Sequence, residues 1–161
     1  MTIAVGDSLP EATFMTPTEK GPAPLSTAEV FGGKTVVLFA LPGAFTPTCS
    51  AKHVPGFLAH AEALKAKGVD TIACLSVNDA FVMGAWGRDQ KVGDHILMLG
   101  DGNGDFTRKV GLDLDLSSFG MGLRSRRYAL IARDGKVAAL AVEPNPSGLD
   151  VSSAEAVLEL L

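Results

Sequence analysis

From Thr35 to Leu41 the chain reads TVVLFAL, an unbroken apolar run rich in β-branched residues, which predicts a strand buried on both faces. The run stops at the turn signal Pro42-Gly43. Beyond it, Val54, Phe57, Leu58, Ala61 and Leu64 recur at helical spacing and predict a helix over about Thr48 to Lys67. Thr46-Pro47-Thr48 offers a capping hydroxyl and a proline suited to a first turn, while Lys65 and Lys67 suit the C-terminal dipole and Gly68 the stop. Pro55 falls inside the pattern. There it removes a backbone donor and crowds the preceding turn, at a cost of about 3 kcal/mol, so a kink is expected near Cys49.

A second buried strand, Val69 to Val77, carries Cys74; Asp79 then caps a helix whose apolar face includes Phe81, Val82 and Trp86. A third strand is expected at His95 to Leu99, before the turn Gly100 to Gly104. Arg127 to Ala132 and Lys136 to Val142, joined by Asp134-Gly135, read as an antiparallel hairpin. Ser152 and Glu155 form a capping box that opens a short terminal helix. Pro10 to Pro17 and Gly21 to Pro24 read as extended surface connections. Parallel strands joined by helices, followed by a hairpin and a helix, predict an α/β domain: a thioredoxin-like fold with a central mixed β-sheet flanked by helices. No repeat or linker divides residues 1–161, so one domain is expected.

Composition narrows the function classes. Hydrophobic residues make up 47% of the chain, enough for a globular core without disulfide staples. Fourteen basic and eighteen acidic residues leave a net charge of −4, which offers no field for nucleic acid. MTIAVGDSLPEATF has no basic stretch followed by an apolar one, and no run approaches the ~18 residues of a membrane span. A soluble cytoplasmic protein without membrane or nucleic-acid partners is therefore expected.

Two cysteines are too few for a disulfide scaffold, so each is judged by its surroundings. Cys49 stands where a buried strand gives way to a helix N-terminus, whose unpaired amides and dipole favour an anion. A free thiol, with a pKa of ~8.5, is mostly protonated at neutral pH, and helix starts and neighbouring cations are what activate such groups. Arg124, Arg126 and Arg127 are the candidate cations, and the residues alone do not choose among them.

The local order PGAFTPTCS at Pro42 to Ser50, followed by KHVPGF at Lys52 to Phe57, resembles the peroxiredoxins, and among them the type II, peroxiredoxin-5-like group. The resemblance continues through CLSVNDAFV at Cys74 to Val82, GLRSRRY at Gly122 to Tyr128 and the segment Asn145 to Ser153. It implies a thiol-dependent peroxidase in which Cys49 attacks hydrogen peroxide or a small organic hydroperoxide and becomes a sulfenic acid. It further implies that Thr46 hydrogen-bonds the peroxide, that Pro42 shields the site and that Arg127 is the activating guanidinium. Thr46 equally suits a helix cap, and Pro42 a strand stop. A cysteine at the position matching Cys74 is often proposed as resolving in such relatives, but Cys74 also reads as a buried structural thiol. The alternative resolving position holds Val151. The resemblance implies an external thiol reductant, glutathione with glutaredoxin or thioredoxin, no metal, flavin or haem, and a homodimer. A cysteine-based redox sensor or thiol-switched interaction protein is the alternative function.

Other patterns fail on their own chemistry. Gly32-Gly33-Lys34-Thr35 ends like a phosphate loop, but Ala28 stands where the first glycine is needed and a strand follows. Asp101, Asn103 and Asp105 begin like a calcium loop but lack its glycine and closing glutamate, and read as a solvated turn. Cys49, His53 and His60 share helical spacing without a fourth ligand; His53 is expected at the rim of the site or packed against the kinked helix.

Overall fold

In the computed structural model, which describes residues 1–161, the chain opens with an antiparallel hairpin, β1 (Thr13–Thr18) and β2 (Gly21–Ser26). This corrects the reading of Pro10 to Pro17 and Gly21 to Pro24 as connections. The prolines hide the strands from a sequence reading, but Pro22 and Pro24 occupy alternate positions of the outermost strand, where a missing donor is tolerated. Ser26 then forms a capping box with Glu29 and starts α1 (Thr27–Phe31).

The run from Thr35 becomes β3 (Thr35–Ala40). Next come a π-turn at Cys49–His53, α2 (Val54–Ala59), α3 (Ala61–Ala66), β4 (Thr71–Ser76), α4 (Ala80–Gln90), β5 (Leu97–Gly100) and α5 (Asp105–Lys109). Two short strands, β6 (Asp113–Asp115) and β7 (Leu123–Ser125), precede the hairpin β8 (Tyr128–Arg133) and β9 (Lys136–Val142), and α6 (Ala154–Leu160) ends the fold. Asp134 and Gly135 both have positive φ, as the Asp-Gly hairpin signal requires. Seven strands lie in the order β2-β1-β5-β4-β3-β8-β9, with β3, β4 and β5 parallel and the others antiparallel to their neighbours.

β3 is buried on both faces, as its sequence predicts. Val37 and Phe39 pack with α2, α3, α4 and α6 in one core cluster, whereas Val36, Leu38 and Ala40 pack with α1 and α5 in another. The central mixed sheet is thus covered by helices on both sides.

Four details depart from the sequence reading. The helix expected over Thr48 to Lys67 is not continuous: it widens into the π-turn at Cys49–His53 and breaks at His60, whose φ is −106°. The widening resets the helix so that Pro55 falls in the first turn of α2, where its missing donor costs no bond. On α4 the buried stripe is Ala80, Met83, Gly84 and Gly87 with Trp86, while Phe81 is 73% exposed. Small residues set that stripe: a Cβ on Gly84 would lie 3.0 Å from Pro17 and one on Gly87 3.3 Å from Met98, so the glycines let α4 approach the sheet. The cap of α6 is Ser153, which accepts from the Ala156 N–H, leaving Ser152 for another task. Asp101 is no solvated turn residue either; it is buried and caps α5 through the Phe106 and Thr107 N–H groups.

Tyr128 lies inside the second cluster with its hydroxyl unpaired by any protein group, and burial pushes its pKa up. An unsatisfied buried hydroxyl costs about 1–3 kcal/mol, so Tyr128→Phe is expected to raise stability by about 1 kcal/mol. Thermal denaturation checks this, with an expected rise in Tm of about 2–4 °C; a fall would show that the hydroxyl has a partner.

Candidate active site

β3 and β4 run side by side and end at the same edge of the sheet, and the loops that follow them are tied together. The Ala44 N–H donates to Asn78 Oδ1 (3.0 Å), which also accepts from Ser76 Oγ (2.6 Å). Within the first loop Pro42 is buried, and Phe45 adopts φ 64°, an uncommon conformation for a non-glycine residue, with its ring half exposed. Gly43 permits a close approach, since a Cβ there would lie 3.0 Å from Arg124 Nη1 and 3.3 Å from Thr46 Cγ2.

Thr46 does not cap the helix through its side chain. Its hydroxyl donates to the Gly43 carbonyl (2.6 Å), which commits the proton and leaves the oxygen's lone pairs free to accept. Pro47 begins the helix, and the first amide to bond back is Ser50 N–H, to Thr46 O at 3.0 Å. The N–H groups of Thr48 and Cys49 consequently have no acceptor within the protein, as expected of a helix start. Trp86 Nε1 on α4 donates to Ser50 Oγ (3.0 Å) and so fixes the turn from the side.

Cys49 itself is fully buried. Arg127 meets it from the start of β8: Nη2 donates to Cys49 Sγ at 3.0 Å, Nη1 to His53 Nδ1 at 2.8 Å and Nε to the Pro146 carbonyl at 3.0 Å. The guanidinium is also buried, and the structure gives it no carboxylate; the ion pairs present are His60 with Glu155 and Lys109 with Asp105. Sulfur is therefore the only one of its three acceptors able to carry a compensating negative charge. Arg124 instead donates to the Met121 and Pro42 carbonyls at the mouth, and Arg126 is exposed. The choice that the residues alone left open thus falls on Arg127.

His53 lies neither at the rim nor merely in packing contact. Only 1% exposed, it accepts from Arg127 through Nδ1, so its proton sits on Nε2, which donates to the Ser152 carbonyl (3.0 Å). Burial and the adjacent Arg127 lower its pKa to about 3, and the ring is neutral at neutral pH. Its spacing from Cys49 is visible in the sequence, but nothing in that spacing marks it as an interior hydrogen-bond acceptor. Glu143 and Ser152 gave no such signal. Burial pushes the Glu143 pKa up, but hydrogen bonds from Ser152 Oγ and from the Asp150, Ser152 and Val151 N–H groups outweigh it and hold the carboxyl below its usual range.

Cys74 faces the same core cluster as Cys49, opposite Phe39 in the β3/β4 register. It is fully buried, and burial, reinforced by Cys49, pushes its thiol pKa up. Both cysteines are free. No three His, Cys, Asp or Glu side chains gather as a metal-ligand set.

The chain is similar to known proteins over nearly its whole length. Residues 4–158 match the Redoxin family model. The chain is 50% identical to Peroxiredoxin-2B of Arabidopsis thaliana over 162 residues, 99% of this chain and 98% of that protein. Against the chloroplastic Peroxiredoxin-2E of the same plant it is 49% identical over 99% of this chain and 69% of the relative. The crystal structure of reduced Prx3 from Vibrio vulnificus in complex with hydrogen peroxide superposes with a TM-score of 0.93 at 52% identity, covering 98% of each chain. The fold is therefore thioredoxin-like, as its element order predicts.

The neutral His53 sets a pH dependence. Its pKa falls from 6.5 to about 3 on folding, so between those values the unfolded chain binds a proton that the folded protein excludes. Stability accordingly falls as pH drops through that window, by at most about 1.4 kcal/mol per unit from this group. Glu143, whose pKa is lowered on folding, adds to the loss at the acid end. Urea denaturation between about pH 4 and 6.5 is expected to show the fall and His53→Gln to flatten it; equal slopes would mean that the ring is not held neutral.

Proposed function

The chain belongs to the redoxin family and is a peroxiredoxin, a thiol-dependent peroxidase, and we propose that Cys49 reduces hydrogen peroxide and small alkyl hydroperoxides. The observation that carries this assignment is the buried, carboxylate-free Arg127 guanidinium 3.0 Å from Cys49 Sγ. The thiolate attacks one peroxide oxygen as the O–O bond breaks; Cys49 becomes a sulfenic acid, and the departing oxygen takes a proton and leaves as water or alcohol. Thr46 Oγ1 accepts a hydrogen bond from the peroxide, because its own proton is held by Gly43. Arg127 and the unpaired Cys49 N–H meet the charge that develops on the leaving oxygen. Pro42 walls the site from bulk water. The full burial of Cys49 favours small hydroperoxides.

For turnover we assign Cys74 a structural role. A neutral thiol inside a central strand is a poor nucleophile. The sulfenic acid then condenses with an external thiol, releasing water, and a second thiol displaces the mixed disulfide to restore Cys49. Glutathione with glutaredoxin, or thioredoxin, supplies these electrons, and the sulfur chemistry requires no metal, flavin or haem. Phe45, Phe81 and Phe119, exposed around the loops at this end of the sheet, support a homodimer that covers the site's edge. Two free cysteines fit a reducing compartment such as the cytoplasm.

Cys49→Ser is expected to abolish peroxide consumption while the fold persists, and substantial residual turnover would overturn the mechanism. Arg127→Ala removes a hydrogen bond to a charged group and is expected to slow sulfur oxidation about 10- to 100-fold in single-turnover kinetics. Intact mass after one equivalent of peroxide tests Cys74: the gain of one oxygen is expected, and the loss of two hydrogens would make Cys74 the resolving thiol.

A further inference from the structure

One carboxylate organises the segment between β9 and α6. A single oxygen of the buried Glu143 accepts from the Asp150 N–H (2.8 Å), the Ser152 N–H (2.8 Å) and the Ser152 hydroxyl (2.6 Å). The loop closed in this way presents three carbonyls to the active site. Pro146 O accepts from Arg127 Nε, Ser147 O from Thr48 Oγ1 (2.9 Å) and Ser152 O from His53 Nε2. Cys49 apart, every acceptor of the Arg127 side chain therefore depends on this loop, Pro146 directly and His53 through Ser152. The Glu143 N–H also donates to the Arg127 carbonyl (2.9 Å), so the carboxylate and the guanidinium rise from paired backbone positions.

Glu143 hydrogen-bonds neither Cys49 nor the Arg127 side chain, and the bonds its carboxylate accepts all come from its own loop. Resting on the peroxidase reading above, we propose that Glu143 is a positioning residue for peroxide reduction: it folds residues 143–153 into the loop that fixes the Arg127 guanidinium against Cys49. Charge-assisted bonds are roughly twice as strong as neutral ones, so an ionised carboxylate holds the three donors where a neutral acceptor would hold them loosely. Loosening the loop frees Arg127 Nε and His53 Nε2 together, so the guanidinium loses the Pro146 anchor and the His53 anchor is no longer held in place.

The test compares wild type, Glu143→Gln and Glu143→Ala by single-turnover oxidation of the reduced protein with hydrogen peroxide, alongside 15N NMR of the His53 ring. The amide of Glu143→Gln accepts the same bonds without charge and is expected to slow oxidation about threefold; Glu143→Ala is expected to slow it tenfold or more, to about the level of losing one charged hydrogen bond. The ring reports on the loop specifically. Arg127 and Glu143 are the charged groups that face it, and while the loop is closed it stays neutral at about pH 5. Loop release admits water and relieves the burial that chiefly lowers the ring's pKa, which then rises toward its ordinary value; loss of the Glu143 charge alone would move it the other way, so a rise reports the loop and not the charge. A variant that melts lower but keeps the wild-type rate and a neutral ring at about pH 5 overturns the proposal. If Glu143→Ala does not fold, a wild-type rate and ring in Glu143→Gln overturn it equally. Wild-type protein that leaves peroxide intact overturns instead the peroxidase reading, a result visible before any variant is compared.

Discussion

Burying a guanidinium is the constraint to which the rest of the site responds. A charge removed from water must be met by hydrogen-bond acceptors and by a group of opposite sign, or it costs several kcal/mol. Arg127 finds two neutral acceptors, Pro146 O and His53 Nδ1, and one ionisable acceptor, Cys49 Sγ. Each answer imposes the next condition. For Nδ1 to accept, the imidazole must be neutral with its proton on Nε2; that proton needs the Ser152 carbonyl, and Ser152 stands where Glu143 holds it. Two neutral groups, His53 and Ser152, thus stand between the cation and the Glu143 carboxylate, and the sulfur is left to balance the charge.

The sheet explains how residues so distant in sequence meet. β3 pairs antiparallel with β8 in a register that sets Ala40 opposite Tyr128. One step further along both strands lie Leu41 and Arg127, so the guanidinium emerges where β3 ends and the loop toward Cys49 begins. The Glu143 N–H bonds the Arg127 carbonyl and continues the β8/β9 pairing by one step, which brings the loop after β9 to the same corner. On the other side of β3, the parallel partner β4 ends beside it, and Asn78 ties the two following loops together. The π-turn completes the site by allowing Cys49 and His53 to face one guanidinium while Pro55 moves into a first turn.

Elements with strong patterns were legible. β3, β4 and the Asp-Gly hairpin fall within a residue or two of their expected limits, because a continuous apolar run or a paired positive-φ turn has few alternatives. The first hairpin was not, since its prolines signal a loop unless the strand is known to lie at an edge, and edge position belongs to the whole sheet. α1 and α5 have five residues each, too few to show a helical period. On α4 the aromatic Phe81 suggested a buried face that Gly84 and Gly87 in fact supply, because close approach matters there more than side-chain bulk.

By itself the sequence determined that a buried strand ends in a turn and a helix start, that Cys49 sits there with Pro42 and Thr46 before it, and that Cys74 lies within a second buried strand. These are local statements, carried by neighbouring residues. Only the tertiary structure decided which of three arginines reaches Cys49, 78 residues away, that His53 is an interior acceptor rather than a rim residue, and that Glu143 and Ser152 belong to the site at all. The deciding partners are mostly backbone carbonyls, at Gly43, Pro146, Ser147 and Ser152, and a carbonyl is the same in every residue. Its role is written by where the strands place it, and the side chain at that position leaves no record of it.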